Sequence, residues 1–195
     1  MKSVSYVVMS MVLIAASASA QMGGGQMGGG QAAPQKITLA AGLQRSYATI
    51  KQNLTGSVEM MADADFGFKP TPDVRAFAQL FGHVANSMYS QCAAVRGEAN
   101  PNQGRNLEQQ MTKAEVAASL AAAFAFCDPA FSSLTDENAL QMVKQGNNEV
   151  ARASVLAGLV AHDNEMYGTS VVYLRLKGHV PPSTERMQQM QRRPN

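Results

Sequence analysis

The chain has no tryptophan, only 6% aromatic residues and only 15% charged residues over 195 positions. Its formal net charge is +2, with no polybasic block, so a nucleic-acid-binding role is not indicated. Cysteine is scarce too: Cys92 and Cys127 are the pair present. No Cys-x-x-Cys motif, no phosphate-binding glycine loop and no serine–histidine–acid order occurs, which removes thioredoxin-like, nucleotide-hydrolysing and serine-hydrolase chemistry. What fills the chain instead is alanine, leucine and methionine. These residues lose little rotamer freedom in a helix, so the composition favours helix over sheet.

The N-terminal residues read as a secretory leader. Lys2 supplies the positive start, Val4 to Ala16 an apolar stretch, and Ala18-Ser19-Ala20 a small-residue cleavage site. Cleavage is expected after Ala20, giving a signal peptide over 1–20 and an exported, periplasmic or secreted product. Export makes a Cys92–Cys127 disulfide the expected state of the pair. No segment after the leader is expected to span a membrane. Residues 21–36 form a spacer carrying Gln-Met-Gly-Gly-Gly twice, flexible because glycine loses much entropy on ordering. A polar tail over 183–195 follows Pro181-Pro182 and is expected to fray.

Between these ends, residues 37–182 read as one all-α domain of four long helices. The first spans about Leu39 to Met61. The second runs from Pro72, with Thr71 as its cap, to Arg96, stopped at Gly97. A long polar connection, Gly97 to Met111, follows. Thr112-Lys113-Ala114-Glu115 is a capping box opening the third helix, which continues to about Ser132, with Pro129 inside it predicting a kink or an early end. A short helix is expected from Thr135 to Lys144, and the last long helix from Glu149 to Lys177.

The cysteines constrain the topology. Each lies about five residues before the end of its helix. Parallel second and third helices put them at equal height, whereas an antiparallel pair offsets them by roughly 13 Å, beyond the ~7 Å that a bridge allows. The expected order is up-down-down-up, with one long crossover between helices 2 and 3.

Two histidines stand out. Residues four apart on a helix share a face, so His162 and Met166 project side by side. His83 would join them from the second helix. Cys92 lies nine positions beyond His83, about 180° around that helix, so the disulfide and the candidate site fall on opposite sides.

Two groups of motifs carry a family resemblance. Phe68-Lys69-Pro70-Thr71-Pro72-Asp73-Val74-Arg75 leads into Gly82-His83-Val84. His162-Asp163-Asn164-Glu165-Met166-Tyr167-Gly168 precedes Val172-Tyr173-Leu174-Arg175-Leu176-Lys177-Gly178 and Val180-Pro181-Pro182. Over about Leu39 to Pro182 the chain resembles the DinB family, which includes YfiT-like metal-dependent hydrolases. The resemblance implies a crossover four-helix bundle, often dimeric, with three histidines around a divalent metal such as zinc, nickel, iron or manganese. His83 and His162 match the first two ligands. Met166 stands where the third histidine is expected, and a thioether is a poor partner for zinc or nickel.

Three alternatives stay open. The first is a degenerate divalent site that recruits Glu165, Asp163 or water, serving a metal-dependent hydrolase or transferase with Glu165 as a weak acid–base candidate. The second is a His/Met copper site. The third is a metal-free, non-catalytic scaffold that binds a small molecule or a protein.

Overall fold

The computed structural model describes residues 34–192. The signal peptide and most of the glycine-rich spacer lie outside the described residues. Four long helices form the bundle: α1 (Leu39–Met60), α2 (Phe77–Arg96), α3 (Lys113–Ser132) and α4 (Arg152–Leu176). A short α5 (Pro182–Arg192) follows them, and a two-stranded hairpin, β1 (Met142–Gln145) and β2 (Asn148–Ala151), joins α3 to α4.

Contacts at the helix ends establish the directions. Past the end of α3, Asp136 accepts from the Ala40 amide at the start of α1 (3.0 Å), so these helices are antiparallel. Near the end of α4, the Tyr173 hydroxyl donates to the Arg75 carbonyl just before α2 (2.7 Å), so α2 and α4 are antiparallel. Helices α2 and α3 are parallel, bridged by Cys92–Cys127 with a Cα–Cα distance of 5.3 Å, both cysteines fully buried. The order is up-down-down-up, as the disulfide geometry requires. The core between the helices is built on Ile50, Leu54, Phe77, Phe81, Phe124 and Leu156.

By length and composition α3 is apolar enough to cross a membrane, contrary to the expectation that no later segment is. The fold accounts for that composition: Leu120, Phe124, Cys127 and Phe131 are buried in the bundle. α3 runs to Ser132 as its sequence predicts, with Pro129 inside it and no early end. Carbonyls of the turn before Pro129 also receive donors from the neighbouring helices, Phe124 from the Tyr47 hydroxyl (3.3 Å) and Phe126 from Arg96 (2.6 Å).

Three local expectations fail, each for a visible reason. Helix α2 starts at Phe77, not Pro72. The loop before it folds back, so that the Phe77 and Ala78 amides bond the carbonyls of Phe68 (3.0 Å) and Phe66 (2.9 Å). The Gln79 side chain accepts from the Ala76 amide at this new start (2.8 Å). The expected short helix from Thr135 to Lys144 is instead a turn leading into β1. In that turn Thr135 and Asn138 exchange side chain–backbone hydrogen bonds of 2.9 and 3.3 Å. Val143 pairs with Val150 across a tight Gly146-Asn147 turn, with Gly146 at φ 61°. β-branched residues beside a glycine turn favour a hairpin over a helix. The frayed tail from Ser183 is helical up to Arg192, docked by mutual hydrogen bonds of Ser183 with the Tyr167 hydroxyl and by Arg186 on Asn53 of α1.

The crossover between α2 and α3 lies directly on α2. Gly82 makes this possible: a Cβ there would stand 2.4 Å from the Leu107 oxygen and 2.8 Å from the Glu108 Cα. One turn later Asn86 clamps the same segment. Its Oδ1 accepts from Asn102 Nδ2 (3.0 Å) and the Leu107 amide (3.3 Å), and its Nδ2 donates to Asn106 Oδ1 (3.2 Å). Gly82→Ala is therefore expected to destabilise the protein by about 1–3 kcal/mol, because backbone rather than a flexible side chain must yield. Gly168→Ala, with nothing within 4 Å of the added carbon, is expected to stabilise by up to about 1 kcal/mol. Thermal unfolding of the two variants side by side checks both signs.

Candidate metal centre

α2 and α4 carry the two histidines into contact. Their ring centroids lie 5.0 Å apart, with the planes tilted by 50°. One turn beyond His83, the Ser87 hydroxyl lies 3.4 Å from His162 Nε2, so α2 presents a histidine and a hydroxyl to the same imidazole.

Each imidazole is backed by a carboxylate. His83 Nδ1 lies 2.8 Å from Glu108 Oε1, and Glu108 Oε2 accepts from Arg75 Nε at 2.9 Å. Partial burial pushes the Glu108 carboxyl up, but the hydrogen bonds and charges of Arg75 and His83 outweigh it and hold the group below the usual carboxylate range. Glu108 is thus ionised and accepts only, so His83 Nδ1 is the nitrogen that donates to it.

His162 Nδ1 lies 3.2 Å from Asp163 Oδ1. Asp163 is fully buried. Burial pushes its carboxyl up, while the hydrogen bond and charge of His162 and the charge of His83 pull against that shift. Its Oδ2 has no hydrogen-bond partner among the described residues. When ionised, this carboxylate holds the His162 proton on Nδ1, the arrangement that outer carboxylates impose on ligating histidines.

Met166 is on the same face of α4 as His162 and is buried at 9% exposure. It lines a cleft of about 610 Å³ together with Arg75, Glu108 and Tyr173. The Glu165 side chain is exposed and makes no hydrogen bond among the described residues; the carboxylates beside the imidazoles are Glu108 and Asp163. Glu108 escapes a sequence reading because it lies in the irregular crossover, where helical periodicity carries no information. The close approach of the crossover at Gly82 is what brings it to His83.

Several known proteins share this architecture. A DinB-like protein from Bacillus cereus superposes with a TM-score of 0.61 at 14% identity, covering 72% of this chain and 94% of its own. A DinB-like protein from Bacillus subtilis gives 0.55 at 17% identity, over 71% and 93%. A conserved protein from Enterococcus faecalis gives 0.58 at 14% identity, over 72% and 98%. At these identities the likeness is one of fold. No curated protein matches the sequence. The family model of the DinB superfamily matches residues 47–169, a span that runs from the middle of α1 to three residues past Met166 and includes both histidines and both cysteines. The chain belongs to the DinB superfamily.

Proposed function

We propose that this chain is an exported DinB-like bundle with a degenerate divalent-metal site, in which the pair His83 and His162 persists beside a small-molecule cleft. The observation that carries the reading is the meeting of the two imidazoles at 5.0 Å, each with a carboxylate on Nδ1. The side chains present do not fit a three-imidazole centre for zinc, nickel, iron or manganese. Among the described residues no three His, Cys, Asp or Glu side chains gather to hold an ion. Glu108 and Asp163 are engaged on the far nitrogens of the imidazoles, and the expected third donor is the thioether of Met166. The buried disulfide supports an oxidising compartment, and with the leader-like residues before Gln21 it supports export.

The expected result with untagged protein is weak zinc or nickel binding in calorimetry, lost in His83→Ala. Stoichiometric metal that survives a chelator, or binding unchanged in His83→Ala, would contradict the proposal. A second reading, a non-catalytic scaffold, is favoured by Met166 as ordinary core volume. It requires that no metal bind at all and that chelators leave stability unchanged.

A further inference from the structure

The cleft that Met166 lines opens beside the histidines, and its chemistry is readable independently of any metal. Its volume of about 610 Å³ lies within the range of small-molecule sites. One wall comes from the loop that replaces the expected first turn of α2, carrying Lys69, Asp73, Val74 and Arg75. The opposite wall is Met166 and Tyr173 on α4, with Leu80 of α2 at the side.

The hydrogen-bonding capacity left unspent here is mainly that of donors. Lys69 is exposed and forms no salt bridge among the described residues. Arg75 gives its Nε to Glu108. Its Nη2 lies 3.4 Å from His83 Nδ1, a nitrogen that donates to Glu108 and cannot accept as well. The remaining guanidinium N–H groups are therefore available. The Gln79 amide nitrogen is also unspent, since its oxygen is taken by the Ala76 amide. On the acceptor side, Glu108 has both oxygens engaged, and Asp73 is the one lining carboxylate without a partner among the described residues. Leu80, Met166 and Tyr173, each at most 9% exposed, add an apolar floor.

We propose that this cleft binds a small organic acid, its carboxylate held by Arg75 and Lys69 and its aliphatic body lying against Leu80, Met166 and Tyr173. Arg75 is suited to the task because a guanidinium meets a carboxylate through paired N–H groups. The assignment deepens the proposed function by naming the ligand class of the cleft, and it takes from that reading only the histidine pair, which Glu108 of the cleft lining adjoins through His83. Glu108 links the two regions, with one oxygen on Arg75 and the other on His83.

The test uses the full chain labelled with [¹³C-methyl]methionine, the Met166 signal being assigned from Met166→Leu. Butyrate is expected to shift that signal saturably, with a dissociation constant in about the millimolar range for so small a ligand. Butylamine, of similar size and opposite charge, is expected to leave it unmoved, and inorganic phosphate to bind more weakly than butyrate. Lys69→Met and Arg75→Gln should each weaken butyrate by about tenfold, the loss of one charged contact. Lys69 is exposed and unpaired, so the first variant leaves the fold intact. No saturable butyrate shift, equal binding of butylamine, phosphate binding as tightly as butyrate, or full affinity in Lys69→Met would each overturn the assignment. His83→Ala separates this proposal from the metal reading, because it should abolish metal binding and retain butyrate.

Discussion

Replacing Cys92 and Cys127 together by alanine is expected to lower stability by about 4 kcal/mol. The bridge closes a sequence separation of 35, and for a loop of that size the chain-entropy model assigns ~4 kcal/mol to constraint of the unfolded chain. For a domain of this size such a loss corresponds to a melting temperature lower by roughly 8–16 °C. Both sulfurs are fully buried in the α2–α3 seam, so a reductant acts only as the native state opens. The double variant reports the full effect at once, whereas the native protein under dithiothreitol should lose stability slowly. Differential scanning calorimetry with and without reductant checks both. A double variant that melts within about 2 °C of the parent would show that the packing of the seam, and not the bridge, sets its stability.

Met166→His is expected to produce the largest change in metal affinity available to a single substitution here. Two histidines at i and i+4 share a helix face and serve as paired zinc ligands. His162 already occupies the first of these positions, and His83 stands across from it at a ring distance of 5.0 Å. Adding the third imidazole should raise zinc or nickel affinity by more than the roughly 100-fold that changes in outer-shell partners reach. Calorimetric titration of the untagged variant checks this, with copper(I) run in parallel. Copper(I) affinity that falls in Met166→Leu would assign the thioether to the metal, and unaltered affinity would return it to the core. No gain for zinc in Met166→His would mean that α4 does not turn this position toward the pair.

Much of the bundle was legible because it rests on long periodic segments. The i, i+4 relation of His162 and Met166 places the second histidine, and the capping box at Thr112 and Glu115 places the start of α3. The parallel arrangement of α2 and α3 followed from where Cys92 and Cys127 fall in their helices. The start of α2 was not legible. Thr71-Pro72 is a sound local helix start, but the carbonyls of Phe66 and Phe68 reach the Phe77 and Ala78 amides through a tertiary fold-back. The hairpin was hidden for a related reason: segments of four residues carry too few periods to tell strand from helix. In the candidate site the histidine pair was readable from helix geometry, yet Glu108 was not. Its place depends on the bare backbone of Gly82 and the clamp at Asn86, both of which act across the chain rather than along it.

Cys92 and Cys127 flank the whole crossover, so the covalent ring they close contains Asn102, Asn106, Leu107 and Glu108. A protease that cuts the exposed stretch near Gln103 and Gly104 would leave two fragments still tied to each other. The nicked protein would run as a single species on a non-reducing gel and fall apart only once thiol is added.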